Sequence, residues 1–144
     1  IVKNSKNEWV KSKLELCMPI FSYVKRSNLF YKGDIILSKI SGDTLDKTLM
    51  KRLKLNIEEE IGLCFRFLFN NGIYNFDMNL TNIIYNQESD KLSFIDFDKV
   101  SINSYKINSQ NYSSRVIGKF KDSLKKYDLF AKFDWDKFIR SVYG

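Results

Sequence analysis

The spacing of apolar residues predicts mixed helix and strand at the start of the chain. An amphipathic pattern over residues 5–17 predicts a first helix, which Pro19 would stop. Residues 20–25 and 28–32 are predicted to be strands, separated by polar residues. The run DIILSKI, residues 34–40, has the apolar content of a buried strand. We therefore expect a small sheet accompanied by one helix in this part of the molecule.

The rest of the chain is predicted to be mainly helical. Apolar residues recur at helical spacing over residues 56–70, with Asn56 as the predicted cap, three glutamates in the first turn and Asn71-Gly72 as the stop. Shorter elements are predicted as a helix at 44–53, strands at 83–85 and 91–96, a loop at 101–114, and helices at 116–127 and 134–143. These elements would surround a polar segment between the long helix and the second pair of strands.

Composition excludes several kinds of active site. The chain has 144 residues and no histidine, so Ser-His-Asp triads, Cys-His pairs and histidine-containing zinc sites are excluded. No apolar run is long enough to predict a membrane span. The two cysteines, Cys17 and Cys64, lie in apolar runs and are predicted to be buried thiols, which fits a reducing compartment. The acids, bases and metal ligands of an enzyme would have to be Asp, Glu, Asn, Lys or Tyr.

The formal charge of +7 leaves three kinds of partner open, namely nucleic acid, an anionic membrane surface and a phosphorylated substrate. Basic residues are spread along the chain and are modestly concentrated at Lys119, Lys121, Lys125 and Lys126. A solvated helix face is the default interpretation of that group.

One segment combines the residue types that phosphoryl transfer needs. Asp77 is followed five residues later by Asn82, then by two predicted strands, and then by Asp96-Phe97-Asp98. Kinases use a catalytic-loop Asp to orient the acceptor hydroxyl, and an Asn and a strand-terminal Asp as oxygen ligands of Mg²⁺. In the alternative interpretation, Asp77 and Asn82 are turn-forming residues and Asp96 only ends a strand.

The segment also resembles a known family. GIYNFDMNLTNII followed by SFIDFDKV is similar to the loop and metal-binding motifs of the 3-deoxy-D-manno-octulosonic acid (Kdo) kinases and lipopolysaccharide core heptose kinases, within the protein-kinase-like fold. Asp98 stands where protein kinases have the glycine of D-F-G, and Asn79 also favours the sugar kinases. NEWVKSKLELCMPIFSYV near the start, and KFKDSLKK and DWDKFIRSVYG near the end, extend the resemblance over most of the chain.

The resemblance implies an α+β, protein-kinase-like fold. Residues 1–43 would be a partial N-terminal lobe with the C-helix, strands and hinge, and residues 44–144 the C-terminal lobe with the catalytic loop. It also implies that Asp77 is the catalytic base or hydroxyl-orienting carboxylate, and that Asn82 and Asp96 hold Mg²⁺.

The remaining site residues implied by the resemblance are less closely tied to a motif. Backbone groups near Lys39 and Ile40 would meet adenine at the hinge. Glu8, or Glu15 as second choice, would pair with the phosphate-binding lysine, although either could equally be a solvated helix residue. Asp98 would position the substrate or the loop.

The sequence departs from the family in two respects. Asn75 replaces the histidine that braces the catalytic loop, and an amide keeps both hydrogen-bonding functions. The glycine-rich loop and the strand lysine that precede the C-helix of a complete kinase are not found in these residues, so we expect a truncated sequence of a longer kinase, which on its own would bind nucleotide poorly.

The resemblance implies ATP and Mg²⁺ as cofactors and the Kdo of a lipid A precursor as acceptor. It further implies peripheral association with the cytoplasmic face of the inner membrane. Three alternatives stay open: a kinase of heptose, of an aminoglycoside-like small molecule or of protein; a kinase-like remnant without activity; and a basic nucleic-acid-binding module.

Overall fold

The structure, a computed structural model, describes residues 2–15, 19–26, 31–51, 56–102 and 109–144, and of these it describes side chains at 8–15 and from 38 onward. The predicted thiol Cys17 lies outside the described residues, and Cys64 is buried, as predicted. Across the described ranges, no helix has both the length and the apolar character needed to cross a bilayer.

The first helix is shorter at its end than predicted. Helix α1 spans Val2–Lys13, and the next two residues form strand β1, Leu14–Glu15. Strand β1 runs parallel to β7, Lys91–Phe94, with Leu14 opposite Leu92. Since these residues pair with a neighbouring strand, their backbone leaves the helix well before Pro19. Val10 of α1 is buried, and α1 packs against β7 and the long helix described below.

Two long strands follow α1. Strand β2, Pro19–Arg26, pairs antiparallel with β3, Tyr31–Leu37. The structure joins residues of the two predicted strands at 28–32 and 34–40 in the single strand β3, in which Gly33 pairs with Val24 inside a continuous ladder. The predicted strand at 20–25 is confirmed, the predicted strand at 34–40 ends at Leu37, and residues 28–30 of the remaining predicted strand lie outside the described residues.

A second sheet lies beside the polar segment. It has the order β1-β7-β6-β4, where β4 is Asp43–Thr44 and β6 is Ile83–Asn86. Gly42 precedes β4 with φ 134°, and a Cβ there would lie 2.4 Å from the Tyr85 carbonyl oxygen, so the turn requires glycine. Helix α2, Leu45–Lys51, begins directly after β4.

The helices α3, Ile57–Asn70, and α5, Trp135–Tyr143, pack closely against each other. A Cβ on Gly62 would lie 2.6 Å from the Ser141 Cβ, so the absence of a side chain permits this approach. The predicted cap of α3 is wrong in one respect: Asn56 precedes the helix with φ 64° and makes no side-chain cap bond. Its side-chain oxygen instead accepts a hydrogen bond from Lys137 of α5.

The described part of the predicted loop at 101–114 is strand and helix, and residues 103–108 lie outside the described residues. Strand β8, Val100–Ile102, pairs antiparallel with β5, Ile73–Asn75. Helix α4 spans Ser109–Lys126 and therefore begins seven residues earlier than predicted. Its polar first turns have a buried side, where Ser113 is buried and the Tyr112 ring packs edge-to-face on Tyr74 at 5.4 Å.

A cluster of aromatic rings from the helices and the second sheet lies within the core. The Phe65 ring of α3 contacts the rings of Phe94, Phe120 and Phe138 at centroid distances of 6.0, 5.2 and 5.2 Å. These partners come from β7, α4 and α5. The core therefore packs together elements that precede and follow the polar segment in the chain. This packing positions the two ends of that segment.

Candidate active site

The candidate site consists of a loop and a turn. Paired strands hold the loop and the turn together. The predicted catalytic loop, residues 75–82 and called the catalytic loop below, begins at the last residue of β5 and ends in a short 3₁₀ helix, η1, at Leu80–Asn82. The acidic turn, residues 95–99, joins β7 to β8. The Phe76 amide donates to the Lys99 carbonyl at 3.0 Å, and the Ile95 amide donates to the Asn82 carbonyl at 2.9 Å. Backbone hydrogen bonds thus join the loop to the turn near both ends.

Asn75 connects the two segments through its side chain. It is 1% exposed, its Oδ1 accepts from the Asp77 amide at 2.9 Å, and its Nδ2 donates to the Asp96 carbonyl at 2.9 Å. One buried amide therefore fixes the backbone at both predicted functional aspartates. The replacement of the family's histidine leaves a side chain that braces the loop.

Asn79 shapes the end of the catalytic loop. Its Oδ1 accepts from the amides of Thr81 and Asn82 at 3.0 and 3.1 Å, which caps η1. Its Nδ2 donates to the Asp77 carbonyl at 3.2 Å. In this arrangement the contribution of Asn79 is to hold the loop in shape.

Asn82 is buried, and the direction of its side chain is set by Asp77. The Asn82 Nδ2 donates to the Asp77 carbonyl at 3.0 Å, which leaves the amide oxygen as the acceptor of this side chain. Asn82 directly precedes β6. Its carbonyl accepts a hydrogen bond from the amide of Ile95, which is the residue before Asp96. The two predicted metal ligands therefore belong to neighbouring backbone segments.

Asp96 has a backbone conformation that most residues avoid. Its φ is 58°, in the left-handed region, and its side chain is exposed. Such conformations cost about 1–3 kcal/mol and are concentrated at functional sites. The hydrogen bond from Asn75 to its carbonyl helps to hold this conformation. Asp98, two residues on, is also exposed.

The donor set fits Mg²⁺ better than a metal that needs a complete protein cage. Within the described ranges, no group of three or more Asp, Glu, Cys or His residues could hold a metal ion. Mg²⁺ in phosphoryl-transfer sites is usually held by one or two protein oxygens together with substrate phosphates and water. As predicted ligands, Asn82 and Asp96 would supply one amide and one carboxylate oxygen, which suits that kind of binding.

Lys99 contacts the predicted catalytic aspartate and was not identified from the sequence. Its Nζ lies 3.2 Å from Asp77 Oδ2, and the two side chains are 66% and 38% exposed. The sequence feature that could have identified Lys99 as a site residue is its position directly after Asp96-Phe97-Asp98 in the motif. The Asp77 carboxylate therefore lies at the surface beside a cation, where an acceptor hydroxyl could reach it.

Helix α4 lies along the catalytic loop and supports it at two points. The Leu80 amide donates to the Ser123 hydroxyl oxygen at 3.0 Å, in a buried position. The Arg115 guanidinium carbon lies 4.5 Å from the centroid of the Phe76 ring, a cation–π contact. Neither residue was identified from the sequence, because Arg115 precedes the helix predicted at 116–127 and Ser123, within that helix, belongs to no recognised motif.

The predicted hinge residues lie between β3 and β4, in a stretch without regular secondary structure. Lys39 is exposed and Ile40 is half-buried. Just beyond, the Lys51 ammonium donates to Asp43 Oδ2 at 2.8 Å, and this hydrogen bond lowers the pKa of the Asp43 carboxyl below its ordinary 3.8. Contact of the hinge with adenine stays a prediction.

The two glutamates predicted as partners of a phosphate-binding lysine have different surroundings. Glu8 lies on the exposed side of α1, whereas Glu15 is half-buried and its backbone pairs with Ser93. The described part of the chain brings neither of them to the catalytic loop by a hydrogen bond. Their proposed roles stay predictions.

Comparison with models of protein families shows to which family the chain belongs. The model of the lipopolysaccharide kinase (Kdo/WaaP) family matches residues 7–143. The chain belongs to the lipopolysaccharide kinase (Kdo/WaaP) family. A search of curated proteins finds no match.

Membership in this family confirms the predicted resemblance and the α+β, protein-kinase-like fold. It identifies the activity generally as that of a lipopolysaccharide kinase, a phosphotransferase of lipopolysaccharide biosynthesis. Kinases of this kind use ATP, typically with Mg²⁺, and the family name indicates a glycolipid substrate. The roles of single residues in this chain are not determined by the match.

Proposed function

We propose that this protein transfers the γ-phosphoryl group of ATP, with Mg²⁺ bound, to a hydroxyl of the Kdo unit in a lipid A precursor. The observation that carries this proposal is the buried side chain of Asn75, which binds the backbone of Asp77 and of Asp96 at 2.9 Å each. An arrangement that fixes an acceptor-side carboxylate relative to a metal-side carboxylate is what phosphoryl transfer requires.

The proposed step assigns one function to each polar residue. The acceptor hydroxyl donates a hydrogen bond to the Asp77 carboxylate, which takes its proton as the new oxygen–phosphorus bond forms. The bond between the γ-phosphorus and the β–γ bridging oxygen breaks, and ADP leaves with the electron pair. Asn82 and Asp96 would hold Mg²⁺, which supplies positive charge against the phosphate oxygens when bound.

The proposed acceptor is supported by family membership and by charge. The acceptor is a glycolipid by the family name, and Kdo is the narrower assignment proposed here. Lys99 and Arg115 provide positive charge on two sides of Phe76-Asp77, which suits an acidic sugar or a phosphorylated lipid. Asp98, exposed in the same turn, is proposed to position the sugar or the turn.

We further propose peripheral docking on the cytoplasmic face of the inner membrane. The solvent-facing side of α4 carries Arg115, Lys119, Lys125 and Lys126, interrupted by Asp122. Basic residues near an anionic leaflet each contribute about 1 kcal/mol of attraction. Sedimentation with vesicles that contain anionic phospholipid tests this, and binding that is absent at low salt would refute it.

ADP release in the presence of defined acceptors tests the function. We expect ADP to be released when ATP, Mg²⁺ and a Kdo-bearing lipid A precursor are added together, and not when the Kdo unit is missing from the lipid. Free Kdo, free heptose and a protein substrate are the matched acceptors. Transfer to one of these but not to the lipid would contradict the substrate assignment.

Calorimetry with Mg-ATP tests the alternative of a kinase-like remnant. A kinase should bind Mg-ATP, and Asp96→Asn should weaken that binding. Absence of binding, also by a protein extended upstream of Ile1, would favour the remnant, an interpretation that rests on Asn75 in place of the family's histidine and on the glycine-rich loop and strand lysine that are not found in these residues. Binding without transfer to any of the acceptors would instead contradict Kdo as the substrate.

A further inference from the structure

The catalytic loop lacks a positive charge of its own. Residues 75–82 contain no lysine or arginine. The phosphoryl group in transfer carries negative charge on three oxygens, and kinases stabilise it with preorganised cations in addition to metal ions. If the proposed function is correct, a cation from another part of the chain should lie beside Asp77.

Lys99 is held at that position by its backbone as well as by its side chain. Its carbonyl accepts from the Phe76 amide at 3.0 Å, and the adjacent pair Asn75 and Val100 is in register between β5 and β8. The residue is therefore fixed directly across from Phe76-Asp77. Its Nζ extends from there to Asp77 Oδ2, at 3.2 Å.

The contact between Lys99 and Asp77 is too exposed to be explained by stability. The Lys99 side chain is 66% exposed, and ion pairs with this much solvent contribute about 0–1 kcal/mol or less. A pair this weak can open at little cost. The flexible stem of lysine would then allow Nζ to move from the carboxylate to a phosphoryl oxygen nearby.

Arg115 is the other cation that the structure brings to Phe76, and it suits the role less well. Its guanidinium lies over the Phe76 ring, with 4.5 Å between the guanidinium carbon and the ring centroid. It therefore contacts the residue before Asp77 rather than the carboxylate itself. Lys99 is the described cation with a hydrogen bond to Asp77.

We propose that Lys99 is a catalytic residue that binds the transferring phosphoryl group. In the free protein it pairs with Asp77, and during transfer it exchanges this partner for a phosphoryl oxygen. The exchange also releases Asp77 Oδ2 to receive the acceptor hydroxyl. This inference rests on the proposed function, since it requires phosphoryl transfer at Asp77.

A phosphoryl mimic tests the proposal without an acceptor. The probe is Mg-ADP with aluminium fluoride, compared with Mg-ADP alone, and binding is measured by calorimetry. We expect Lys99→Ala to weaken binding of the aluminium fluoride complex by about 100-fold and to leave Mg-ADP binding unchanged, since removal of one preorganised donor typically costs 10²–10³-fold. Lys99→Arg, which retains the charge, should bind the complex with intermediate affinity.

Lys132→Ala is the matched control, because Lys132 is an exposed lysine outside the catalytic segments. It should bind both complexes as the unchanged protein does. Equal binding of the aluminium fluoride complex by Lys99→Ala and the unchanged protein would overturn the role of Lys99 and leave the proposed function standing. An unchanged protein that binds neither complex, also when it is extended upstream of Ile1, would overturn the proposed function and this inference together.

Kinetics give a second readout once transfer is established. Lys99→Ala should lower kcat by about 100-fold with little change in KM for ATP or for the acceptor. A rise in KM alone would indicate that Lys99 only binds substrate, and would also contradict the proposal. Thermal unfolding of each variant shows whether a loss comes from misfolding.

Discussion

The catalytic loop and the acidic turn line the same site but are held in different ways. Side-chain amides of the loop itself form its hydrogen bonds: Asn75 accepts from the Asp77 amide, and Asn79 accepts from the amides of Thr81 and Asn82. The acidic turn is held at its two ends by backbone hydrogen bonds to the loop, and its side chains from Asp96 to Lys99 are exposed.

This difference corresponds to two parts of the proposed chemistry, which are the orientation of the acceptor hydroxyl by Asp77 and the binding of metal ion and phosphate by the turn. Rearrangement of the loop would break several hydrogen bonds, some of them buried, so Asp77 is kept in place before any substrate binds. The exposed carboxylates of the turn can exchange water for a metal ion or phosphate at small cost. We therefore expect substitutions in the turn to change activity with little effect on stability, and substitutions of the side chains that form the loop's hydrogen bonds to change both.

The largest effect is expected for Asp96→Asn. Asparagine tolerates the left-handed conformation at this position, where φ is 58°, so the fold should be kept. Loss of the carboxylate removes the charged Mg²⁺ ligand, and transfer should fall by about 10³-fold. The measurement is kcat over a range of Mg²⁺ concentrations, together with thermal unfolding.

Glu88→Gln is the control for Asp96→Asn, because it removes an exposed carboxylate in the turn between β6 and β7. It should leave activity unchanged. If Asp96→Asn kept normal transfer, or unfolded the protein, the assignment of the acidic turn as metal-binding and structurally undemanding would be wrong.

The next effect is expected at the residue that joins the two segments. Asn75→Ala removes two buried hydrogen bonds and should lower the free energy of unfolding by about 2–4 kcal/mol, with a loss of activity of at least tenfold. Asn75→Asp keeps the acceptor for the Asp77 amide but loses the donor to Asp96, so it should disturb the turn more than the loop.

Urea unfolding measures the stability of both Asn75 variants, and Asn111→Ala, an exposed asparagine on α4, is the control. Hydrogen exchange at the Asp77 amide separates the variants: it should be fast in Asn75→Ala and stay protected in Asn75→Asp. Equal protection in the two variants would show that Asn75 does not join the segments as described.

A smaller effect is expected where α4 supports the loop. Ser123→Ala leaves the buried Leu80 amide without its acceptor and should cost about 1–3 kcal/mol of stability. Activity should fall only a few-fold, since Asn79 still caps η1. Ser114→Ala, at an exposed position of the same helix, should have no effect on urea unfolding. Equal stability of the two variants would refute the supporting role of Ser123.

The smallest effect is expected at an ion pair outside both segments. Since Lys51 lowers the pKa of Asp43 below 3.8, the pair stabilises the fold above that pH, and the stabilisation is lost as the pH falls through the lowered pKa. Lys51→Gln should raise the pKa of Asp43 toward 3.8, and its deficit in melting temperature should vanish in acid.

Carboxyl carbon NMR of Asp43 measures that change in pKa. Lys47→Gln is the matched control, because Lys47 acts on Asp43 only through charge and contributes less than Lys51. A larger change in Lys47→Gln than in Lys51→Gln would contradict the assignment. The stability effect of this exposed pair can be compared with the larger stability effects expected for the hydrogen bonds of Asn75 and Ser123.

The sequence predicts the elements whose apolar patterns are clear. The helix over residues 56–70 and the strands that flank the polar segment follow from apolar periodicity, and they match α3, β6 and β7. The motif spacing also predicts that Asp77, Asn82 and Asp96 belong to one region. Backbone hydrogen bonds between the loop and the turn bring these segments together.

What could not be predicted depends on contacts between distant residues. The polar stretch around Tyr112 and Ser113 becomes helical because its buried side packs against residues far away in the sequence. The Asn56 side chain makes no cap hydrogen bond to α3 and instead accepts one from Lys137 of α5. The position of Lys99 beside Asp77 also depends on a contact between distant residues, because it requires the pairing of β5 with β8.

The phosphorylated lipid itself tests the central claim most directly. The protein and its Asp77→Asn variant are incubated with Mg-ATP and a Kdo-bearing lipid A precursor, and the lipid is analysed by mass spectrometry. The account predicts one added phosphate on the Kdo unit with the unchanged protein, and almost none with Asp77→Asn at equal stability. An unmodified lipid from the unchanged protein, or equal phosphorylation by the two proteins, would contradict it.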